Sequence, residues 1–370
     1  MSTIGHIGID YFSQENLLRS GCLDMHMAME VSEKAMRDFE RGRVIFPNKI
    51  VQIFDEGVQT RINCLAATLL EEKICGAKWV SVFPQNRGKY GIQNLCAVIV
   101  LSEIERGRPL AFLEGTLCSN MRVGAIAGIA AKHFARPNSR TIGFIGAGEQ
   151  AKMHLLAIKT VIPALEVCRV ASKNSRTEQQ FIDEMGPLLP DISFEATGAK
   201  AQKAIEGADI IVTATNAQFP LLKADWIGSG VFYSHIGGWE DEYDVVRKCE
   251  KIVCDDWGKV KHRTQTLSRM YKDGFLSDDD IYANLVDVVT GKKLGRENDD
   301  ENIYFNAVGL SYLDVAISYA MYKRAKKAGE DQSLSLQDTT IFQHDNLADY
   351  ISEGPPKATK VASNENMFTL

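Results

Sequence analysis

The sequence predicts an α/β protein with two parts, one of which contains a parallel sheet with helices on both faces. Two observations support this fold class. In residues 141–256, short apolar runs typical of strands alternate with helical patterns, beginning with TIGFI (141–145) and KMHLLAIKTVI (152–162). Residues 1–135 have a different rhythm, in which a helical stretch precedes several strand-like runs. We therefore expect two structural units.

The first part begins with a predicted helix at 21–43, where methionines and other apolar residues recur at helical spacing. Strand-like runs follow at 49–54, 77–83 and 94–101. Residues 121–135 are rich in Ala and Gly, which predicts a helix packed closely against a neighbour. The turn-forming residues 136–140 connect this helix to the second part.

A glycine-rich motif stands directly after the first strand of the second part and directly before a helix. It consists of Gly146, Ala147, Gly148, Glu149, Gln150 and Ala151, and it fits G-x-G-x-x-[GA]. Gly146 suits a tight turn, Gly148 lets backbone amides approach a pyrophosphate, and Ala151 keeps the helix close to the sheet. The motif predicts a Rossmann-type dinucleotide-binding domain, the alternative being a glycine turn without a ligand.

The segment after the second strand of this domain indicates which dinucleotide binds. NAD-binding proteins usually place an acidic residue there to hold the ribose 2′-hydroxyl. Here the segment contains no carboxylate and consists of Ser172, Lys173, Asn174, Ser175 and Arg176. Its cations and hydroxyls suit a 2′-phosphate, which favours NADP(H), while NAD(H) remains possible. The alternative is a solvated loop with incidental charges.

Two cations in the first part are candidates for binding or catalysis. Strand alternation places Lys78 on one face with Val80 and Val82, where apolar neighbours lower the pKa of an amine and make it a better proton donor. The alternative is a lysine on an edge strand. Arg122 begins the Ala/Gly-rich helix, and it suits either a bidentate contact with a carboxylate or a structural ion pair.

A third candidate region follows the predicted strand at 230–237. Trp239, Glu240 and further acidic residues crowd this loop. It lies at the carboxyl edge of the sheet, where doubly wound folds bind ligands. We expect one of these side chains to contact substrate.

Composition and charge exclude several classes of function. The net charge is −6, with 42 basic and 48 acidic residues, which argues against a nucleic-acid-binding protein. The apolar run at 95–101 is far shorter than a membrane span, and residues 1–10 lack the pattern of a signal peptide, so we expect a cytoplasmic protein. The cysteines and histidines lack metal-ligand spacing, so we expect no metal.

Two stretches resemble the ornithine cyclodeaminase/mu-crystallin family. LEGTLCSNMRVGAIAGIAAKHFARPNSRTIGFIGAGEQA (113–151) is similar to the signature region of that family, and GAKWVSVFPQN (76–86) to its substrate-lysine segment. The resemblance extends from about residue 10 to residue 328. Residues 251–263 and 289–314 are similar to the siderophore-pathway branch, which contains the N-(2-amino-2-carboxyethyl)-glutamate dehydrogenase.

The resemblance assigns roles to individual residues. Lys78 matches the substrate lysine and Arg122 the carboxylate-binding arginine, while Lys49 replaces a second substrate arginine. Thr215 matches the segment beside the nicotinamide, and Asp314 matches an acidic residue of the site.

Two departures from the family pattern also bear on function. Val123 replaces a threonine, and Trp239 occupies the position of the cyclodeaminase aspartate, with Glu240 one place later. The second departure argues against ornithine cyclisation.

These features predict an NAD(P)-dependent oxidoreductase that acts on the C–N bond of a small amino or imino acid, by imine reduction or by oxidative cleavage of a secondary amine. A redox-neutral cyclodeaminase and a non-catalytic, NADPH-dependent ligand-binding protein are the alternatives.

We predict a dinucleotide-binding domain at 136–305 and a substrate-binding domain at 1–135 with 306–330. The resemblance further implies a homodimer joined through the substrate-binding domain. A C-terminal tail at 331–370 is either an arm that lies on the body of the protein or on a neighbouring subunit, or a disordered segment.

Overall fold

The computed structural model describes residues 5–345 and Leu347. The first seven strands are β1 (Ile7–Phe12), β2 (Val44–Ile45), β3 (Ile50–Asp55), β4 (Thr60–Leu69), β5 (Ile74–Val82), β6 (Leu95–Glu103) and β7 (Pro109–Glu114). The other strands are β8 (Thr141–Ile145), β9 (Val167–Ala171), β10 (Ser193–Ala196), β11 (Ile210–Thr213), β12 (Gln218–Leu222), β13 (Phe232–His235), β14 (Trp239–Asp241), β15 (Lys251–Cys254), β16 (Ala283–Asn284), β17 (Ile303–Asn306) and β18 (Gln332–Gln337).

The α-helices of the described residues vary from one turn to five. They are α1 (Gln14–Arg19), α2 (Met25–Glu40), α3 (Asn86–Tyr90), α4 (Thr116–Phe134), α5 (Glu149–Val161), α6 (Ser175–Met185), α7 (Ala201–Ile205), α8 (Tyr243–Arg247), α9 (Trp257–Val260), α10 (Thr266–Lys272), α11 (Leu285–Val289) and α12 (Ser311–Lys327). In residues 5–345, no helix combines the length and hydropathy needed to cross a membrane.

The first sheet is mixed and contains eight strands. Its order is β18-β1-β7-β6-β5-β4-β2, and β3 also pairs with β4. Strands β1 and β7 are parallel, and the other neighbours are antiparallel. Helices α2, α4 and α12 lie against one another, and α12 packs on β4 and β5. Because β5 lies between β4 and β6, a residue on β5 is not on an edge strand.

The second sheet has eight parallel strands in the order β10-β9-β8-β11-β13-β17-β15-β16. Its first strand begins at Thr141, as the sequence predicts, and α5 follows the glycine-rich motif. The central strands β11, β13 and β17 are buried along their whole length, because helices cover both faces. The predicted α/β fold with a Rossmann-type domain is confirmed.

The Ala/Gly-rich helix α4 packs closely against α5, the first helix of the parallel sheet. A Cβ atom added to Gly124 would lie 2.6 Å from the carbonyl oxygen of Met153. One added to Gly128 would lie 3.1 Å from the Cβ of Ala157. Glycine is therefore required for this approach, and α4 connects the helices of the first sheet to those of the second.

The segment predicted as a C-terminal tail contributes one strand. Strand β18 pairs antiparallel with β1 at the edge of the first sheet. Residue 346 and residues 348–370 lie outside the described part of the chain. The predicted boundaries of the two domains stay a prediction.

Candidate active site

A buried group of three charged side chains lies between the first sheet and helices α4 and α12. Lys78, on β5, is 2% exposed, and its Nζ donates a hydrogen bond of 2.6 Å to Oδ1 of Asp314 on α12. Nε of Arg122, on α4, donates to the same oxygen at 3.3 Å. Lys78 Nζ also donates to Ser119 Oγ at 3.1 Å. We call Lys78, Asp314 and Arg122 the charged triad.

The charges of the triad do not balance when both cations are protonated, because two cations share one carboxylate. Burial lowers the pKa of Lys78, and the positive charge of Arg122 acts in the same direction, whereas Asp314 opposes them. Oδ2 of Asp314 is buried and has no hydrogen-bond partner among the described residues. An anionic ligand beside Arg122 would offset the excess positive charge. A lower pKa makes the protonated amine of Lys78 a stronger acid, so it donates its proton more easily.

The backbone around the triad fixes the position of Arg122. Ser119 and Arg122 are three residues apart on α4 and lie on one face of the helix. Gly309, which precedes α12, has a φ of 96°, and a Cβ added there would lie 2.6 Å from a terminal nitrogen of Arg122. Oδ2 of buried Asp255 accepts hydrogen bonds from the backbone amides of Val308 (2.9 Å) and Gly309 (2.6 Å). The guanidinium thus lies against a loop that Asp255 holds in place.

Lys49, the residue before β3, is half-buried and belongs to the same electrostatic environment. Burial, together with the positive charges of Arg263, Arg122 and Arg61, lowers its pKa to about 7, although Asp255 acts in the opposite direction. The charge of Arg122 thus acts on Lys49, and the predicted role of Lys49 in binding a carboxylate stays a prediction. Near neutral pH, Lys49 changes its charge.

The glycine-rich motif has the backbone geometry that a dinucleotide requires. Gly146 has a φ of 110°, and a Cβ there would lie 2.4 Å from the carbonyl oxygen of Ala214. Around Gly148, by contrast, the space for a Cβ is open, and it lies at the amino end of α5. Ala147 and Ala151 are buried. The residues present therefore fit a pyrophosphate at this helix terminus.

One hydrogen bond joins the dinucleotide motif to the helix of the charged triad. Nε2 of Gln150, on α5, donates to Oδ1 of Asn120, on α4, at 2.8 Å. Glu149, the first residue of α5, is exposed and pairs with Lys152. Because Asn120 is two residues from Arg122, the motif and the triad are held in fixed relation.

The segment after β9 presents cations and hydroxyls. Lys173, Ser175 and Arg176 are exposed, and Ser172 is half-buried. The first carboxylate after β9, on Glu178, is fully buried. It accepts hydrogen bonds from the backbone amides of Ser172, Gly198 and Ala199, at 2.9, 2.9 and 2.8 Å. This carboxylate is turned inward and does not face the surface on which Lys173 and Arg176 lie.

The structure does not join Trp239 or Glu240 to the triad by any hydrogen bond or ion pair within the described residues. The carboxylate of Glu240 is fully buried and accepts hydrogen bonds from Thr213 Oγ1 at 3.0 Å, the amide and hydroxyl of Thr215, both at 2.6 Å, and the Gly237 amide at 2.7 Å. Both oxygens of Glu240 are thus engaged, and they fix the loop that carries Thr215. Trp239 is half-buried, with the guanidinium of Arg269 4.6 Å from its ring centroid.

Sequence analysis missed four residues of this site: Ser119, Asp255, Arg61 and Arg263. Ser119 had a local signal, since it precedes Arg122 by one helical turn. Asp255 also had one, because it directly follows the strand-like run KIVC at 251–254. Arg61 and Arg263 had none, since Arg61 is on β4 and Arg263 follows α9, far apart in the sequence.

Comparison with known proteins supports the resemblance seen in the sequence. An alanine dehydrogenase of Archaeoglobus fulgidus is 33% identical over 307 residues, which is 82% of this chain and 91% of that protein. An N-((2S)-2-amino-2-carboxyethyl)-L-glutamate dehydrogenase of Staphylococcus aureus is 30% identical over 72% of this chain and 79% of that protein. The structure of Thermococcus litoralis Δ1-pyrroline-2-carboxylate reductase in complex with NADH and L-proline has a TM-score of 0.82 and 30% identity, covering 88% of this chain and 99% of that chain.

The family model for the ornithine cyclodeaminase/mu-crystallin family matches residues 20–329. This match includes the charged triad, Lys49 and the glycine-rich motif. The chain therefore belongs to the ornithine cyclodeaminase/mu-crystallin family.

Proposed function

We propose that this chain is an NAD(P)-dependent oxidoreductase that acts on the C–N bond of a small amino or imino acid. The observation that carries the proposal is the buried charged triad, linked through Asn120 and Gln150 to a dinucleotide-binding motif. The names of the similar dehydrogenases and the reductase support the same class of reaction.

The dinucleotide motif would hold the cofactor, which supplies or accepts a hydride at carbon when bound. The protein then has to hold the substrate and manage a proton at its nitrogen. The terminal nitrogens of Arg122 suit the α-carboxylate, because its Nε is already bound to Asp314. Lys49 adds a second positive charge while it is protonated. These contacts orient the substrate.

Lys78 is the residue we propose for proton transfer. In imine reduction the nitrogen gains a proton as the carbon gains hydride, and a buried amine with a lowered pKa donates that proton readily. In the oxidative direction the unprotonated amine of Lys78 accepts a proton. Asp314 and Ser119 hold its Nζ in position at 2.6 and 3.1 Å.

Absorbance at 340 nm tests the proposed function. Amino acids with NAD(P)+, and keto acids with ammonia or amines and NAD(P)H, should give a net change with at least one substrate. Lys78→Met should lower kcat by about 10²–10⁴-fold without weakening cofactor binding, because β5 belongs to the first sheet and the glycine motif follows β8 of the second sheet. The matched control is Lys89→Met, which alters an exposed lysine on α3.

Other outcomes of this scan contradict the proposal. Consumption of ornithine at constant absorbance would indicate a redox-neutral cyclodeaminase. Tight cofactor binding without turnover of any substrate would indicate a ligand-binding protein. Activity of Lys78→Met within a few-fold of the unchanged protein would make Lys78 a structural residue.

We expect kcat/KM to depend on the charge of Lys49. A lysine is positively charged below its pKa, and burial together with Arg263, Arg122 and Arg61 lowers this pKa to about 7, with Asp255 opposing them. Carboxylate binding should therefore weaken as pH rises through about 7. In the unchanged chain, kcat/KM measured between pH 5.5 and 9 should therefore show a step near pH 7. Lys49→Arg should abolish this step, since arginine stays protonated over the whole range. An identical profile in the variant would assign the step to another group.

We also propose that NADP(H) binds more tightly than NAD(H). Lys173 and Arg176 are exposed after β9, and the carboxylate of Glu178 is turned inward. One charge-assisted pair with the 2′-phosphate favours NADPH by about tenfold. Fluorescence titration should show this ratio, and a Lys173→Ala, Arg176→Ala double variant should remove it. Equal or tighter binding of NADH to the unchanged chain would contradict the proposal.

We propose a homodimer formed through the domain that comprises residues 1–135 and 306–330. The outer face of the first sheet presents Ile50 on β3, Trp79 on β5 and Val100 on β6, which are 63%, 45% and 37% exposed, with β4 between β3 and β5. Such an apolar sheet face favours covering by a second copy. Light scattering should give a dimer, and Trp79→Glu should give a monomer. A monomeric unchanged chain at micromolar concentration would overturn the proposal.

A further inference from the structure

Two buried carboxylates beside the second sheet bind the backbone of loops and have no lysine or arginine partner. Glu178, on α6, and Glu240, on β14, are both 0% exposed. Among the described residues neither of them forms an ion pair with a lysine or an arginine, and His235 lies 3.7 Å from Glu240. A buried carboxylate is costly unless hydrogen bonds satisfy it, so the donors of these two groups have to stay in place.

The order of the parallel strands places the glycine-rich motif between two pairs of strands. The motif follows β8, which has β9 and β10 on one side and β11 and β13 on the other. In doubly wound folds the pyrophosphate lies at the helix after the motif, and the residue after the second strand contacts the ribose of the adenosine half. The adenosine half of a bound dinucleotide therefore belongs beside the loops after β9 and β10, and the nicotinamide half beside those after β11 and β13.

Glu178 joins the two loops on the adenosine side. Its Oε1 accepts hydrogen bonds from the amide of Ser172, after β9, at 2.9 Å and from that of Ala199, after β10, at 2.8 Å. Its Oε2 accepts from the amide of Gly198 at 2.9 Å. Gly198 and Ala199 have φ values of 67° and 62°, a left-handed conformation that is unfavourable for alanine. The hydrogen bonds to Glu178 offset this cost and hold the two loops at a fixed distance.

The same carboxylate supports the turn that carries Lys173. Ser172 Oγ donates to the carbonyl oxygen of Asn174 at 2.8 Å, and Asn174 Oδ1 accepts from the amide of Thr177 at 3.0 Å in the first turn of α6. The backbone is thus held on both sides of Lys173. Because Glu178 is fully buried, it acts on the adenosine side only through this backbone.

Glu240 has the corresponding place on the nicotinamide side. Its Oε1 accepts hydrogen bonds from the amide and the hydroxyl of Thr215, after β11, both at 2.6 Å. Its Oε2 accepts from the amide of Gly237, after β13, at 2.7 Å and from Oγ1 of Thr213, the last residue of β11, at 3.0 Å. One carboxylate thus joins the loops after β11 and β13, as Glu178 joins those after β9 and β10.

The glycines of these loops leave little room for displacement. A Cβ atom added to Gly237 would lie 2.5 Å from both Cδ of Glu240 and the carbonyl oxygen of Thr215. One added to Gly146, the first glycine of the motif, would lie 2.4 Å from the carbonyl oxygen of Ala214 and 3.1 Å from Cγ2 of Thr215. The turn of the motif therefore packs directly against the loop that Glu240 holds.

We propose that Glu178 and Glu240 are positioning residues for the two halves of the dinucleotide, Glu178 for the adenosine half and Glu240 for the nicotinamide half. Each carboxylate is fully buried and binds protein donors with both oxygens, so it acts through the loops that it joins and not by contact with the cofactor. This inference rests on the dinucleotide-binding part of the proposed function. It assigns Glu240 a role other than contact with substrate.

Half-molecules of the cofactor test this division on the full chain freed of bound dinucleotide. ADP carries the adenosine half with the pyrophosphate, and reduced nicotinamide mononucleotide carries the other half. Calorimetry with ADP and the fluorescence of the reduced nicotinamide give the two affinities. Glu178→Gln should weaken ADP binding about tenfold and leave mononucleotide binding within about twofold, because the NH2 group of glutamine cannot accept a hydrogen bond. Glu240→Gln should give the reverse pattern.

The matched control is Glu195→Gln, which alters an exposed glutamate on β10 paired with Arg169 and should leave both affinities unchanged. The Tm of each variant shows whether the fold is kept. Where a glutamine variant lowers the Tm, Glu178→Asp and Thr213→Val are milder changes. The first keeps the charge on a shorter side chain, and the second removes one donor to Glu240 from a residue that is itself fully buried. Each should weaken the same probe to a smaller extent.

The outcomes separate this inference from the proposed function. Equal weakening of both probes, or of neither, in variants that keep the Tm of the unchanged chain overturns the division between the two carboxylates. Failure of the unchanged chain to bind either probe overturns this inference together with the dinucleotide site. The crossed pattern without an absorbance change for any substrate supports this inference and contradicts only the proposed oxidoreductase activity.

Discussion

The site depends on one buried carboxylate that is shared by two cations. Asp314 accepts hydrogen bonds from Lys78 and Arg122, and all three groups are removed from most solvent contact. Charges are costly to bury unless they are paired, so β5, α4 and α12 must meet at this point. The pairing also leaves an excess of positive charge when both cations are protonated. The interaction that holds three distant segments together therefore also leaves an excess of positive charge beside Arg122, where we propose that the carboxylate of a substrate binds.

The second sheet adds the cofactor motif to this arrangement. Glycines of α4 allow α5 to approach, and the bond between Gln150 and Asn120 fixes the helix of the motif to the helix of Arg122. On the other side, Asp255 holds the loop against which the guanidinium of Arg122 lies. The carboxyl ends of parallel strands thus face the charged triad, as in other doubly wound folds that bind ligands at this edge.

The fold and part of the site could be predicted from the sequence, because the decisive signals were local. The glycine motif lay between a strand and a helix, and alternation placed Lys78 on an apolar face. The partner of Lys78 could not be derived from spacing, since Asp314 is 236 residues away, and only the family resemblance pointed to it. The inward turn of Glu240 and the addition of β18 to the first sheet depend likewise on long-range packing.

The most direct test of the charged triad is a crystal structure of the chain with a bound dinucleotide and an unreactive keto acid. We expect the carboxylate of the keto acid to accept hydrogen bonds from the terminal nitrogens of Arg122, with Lys78 Nζ beside the reacting carbon or its substituent, and Asp314 still bound to both cations. A carboxylate bound away from Arg122, with the keto group out of reach of Lys78, would contradict the account.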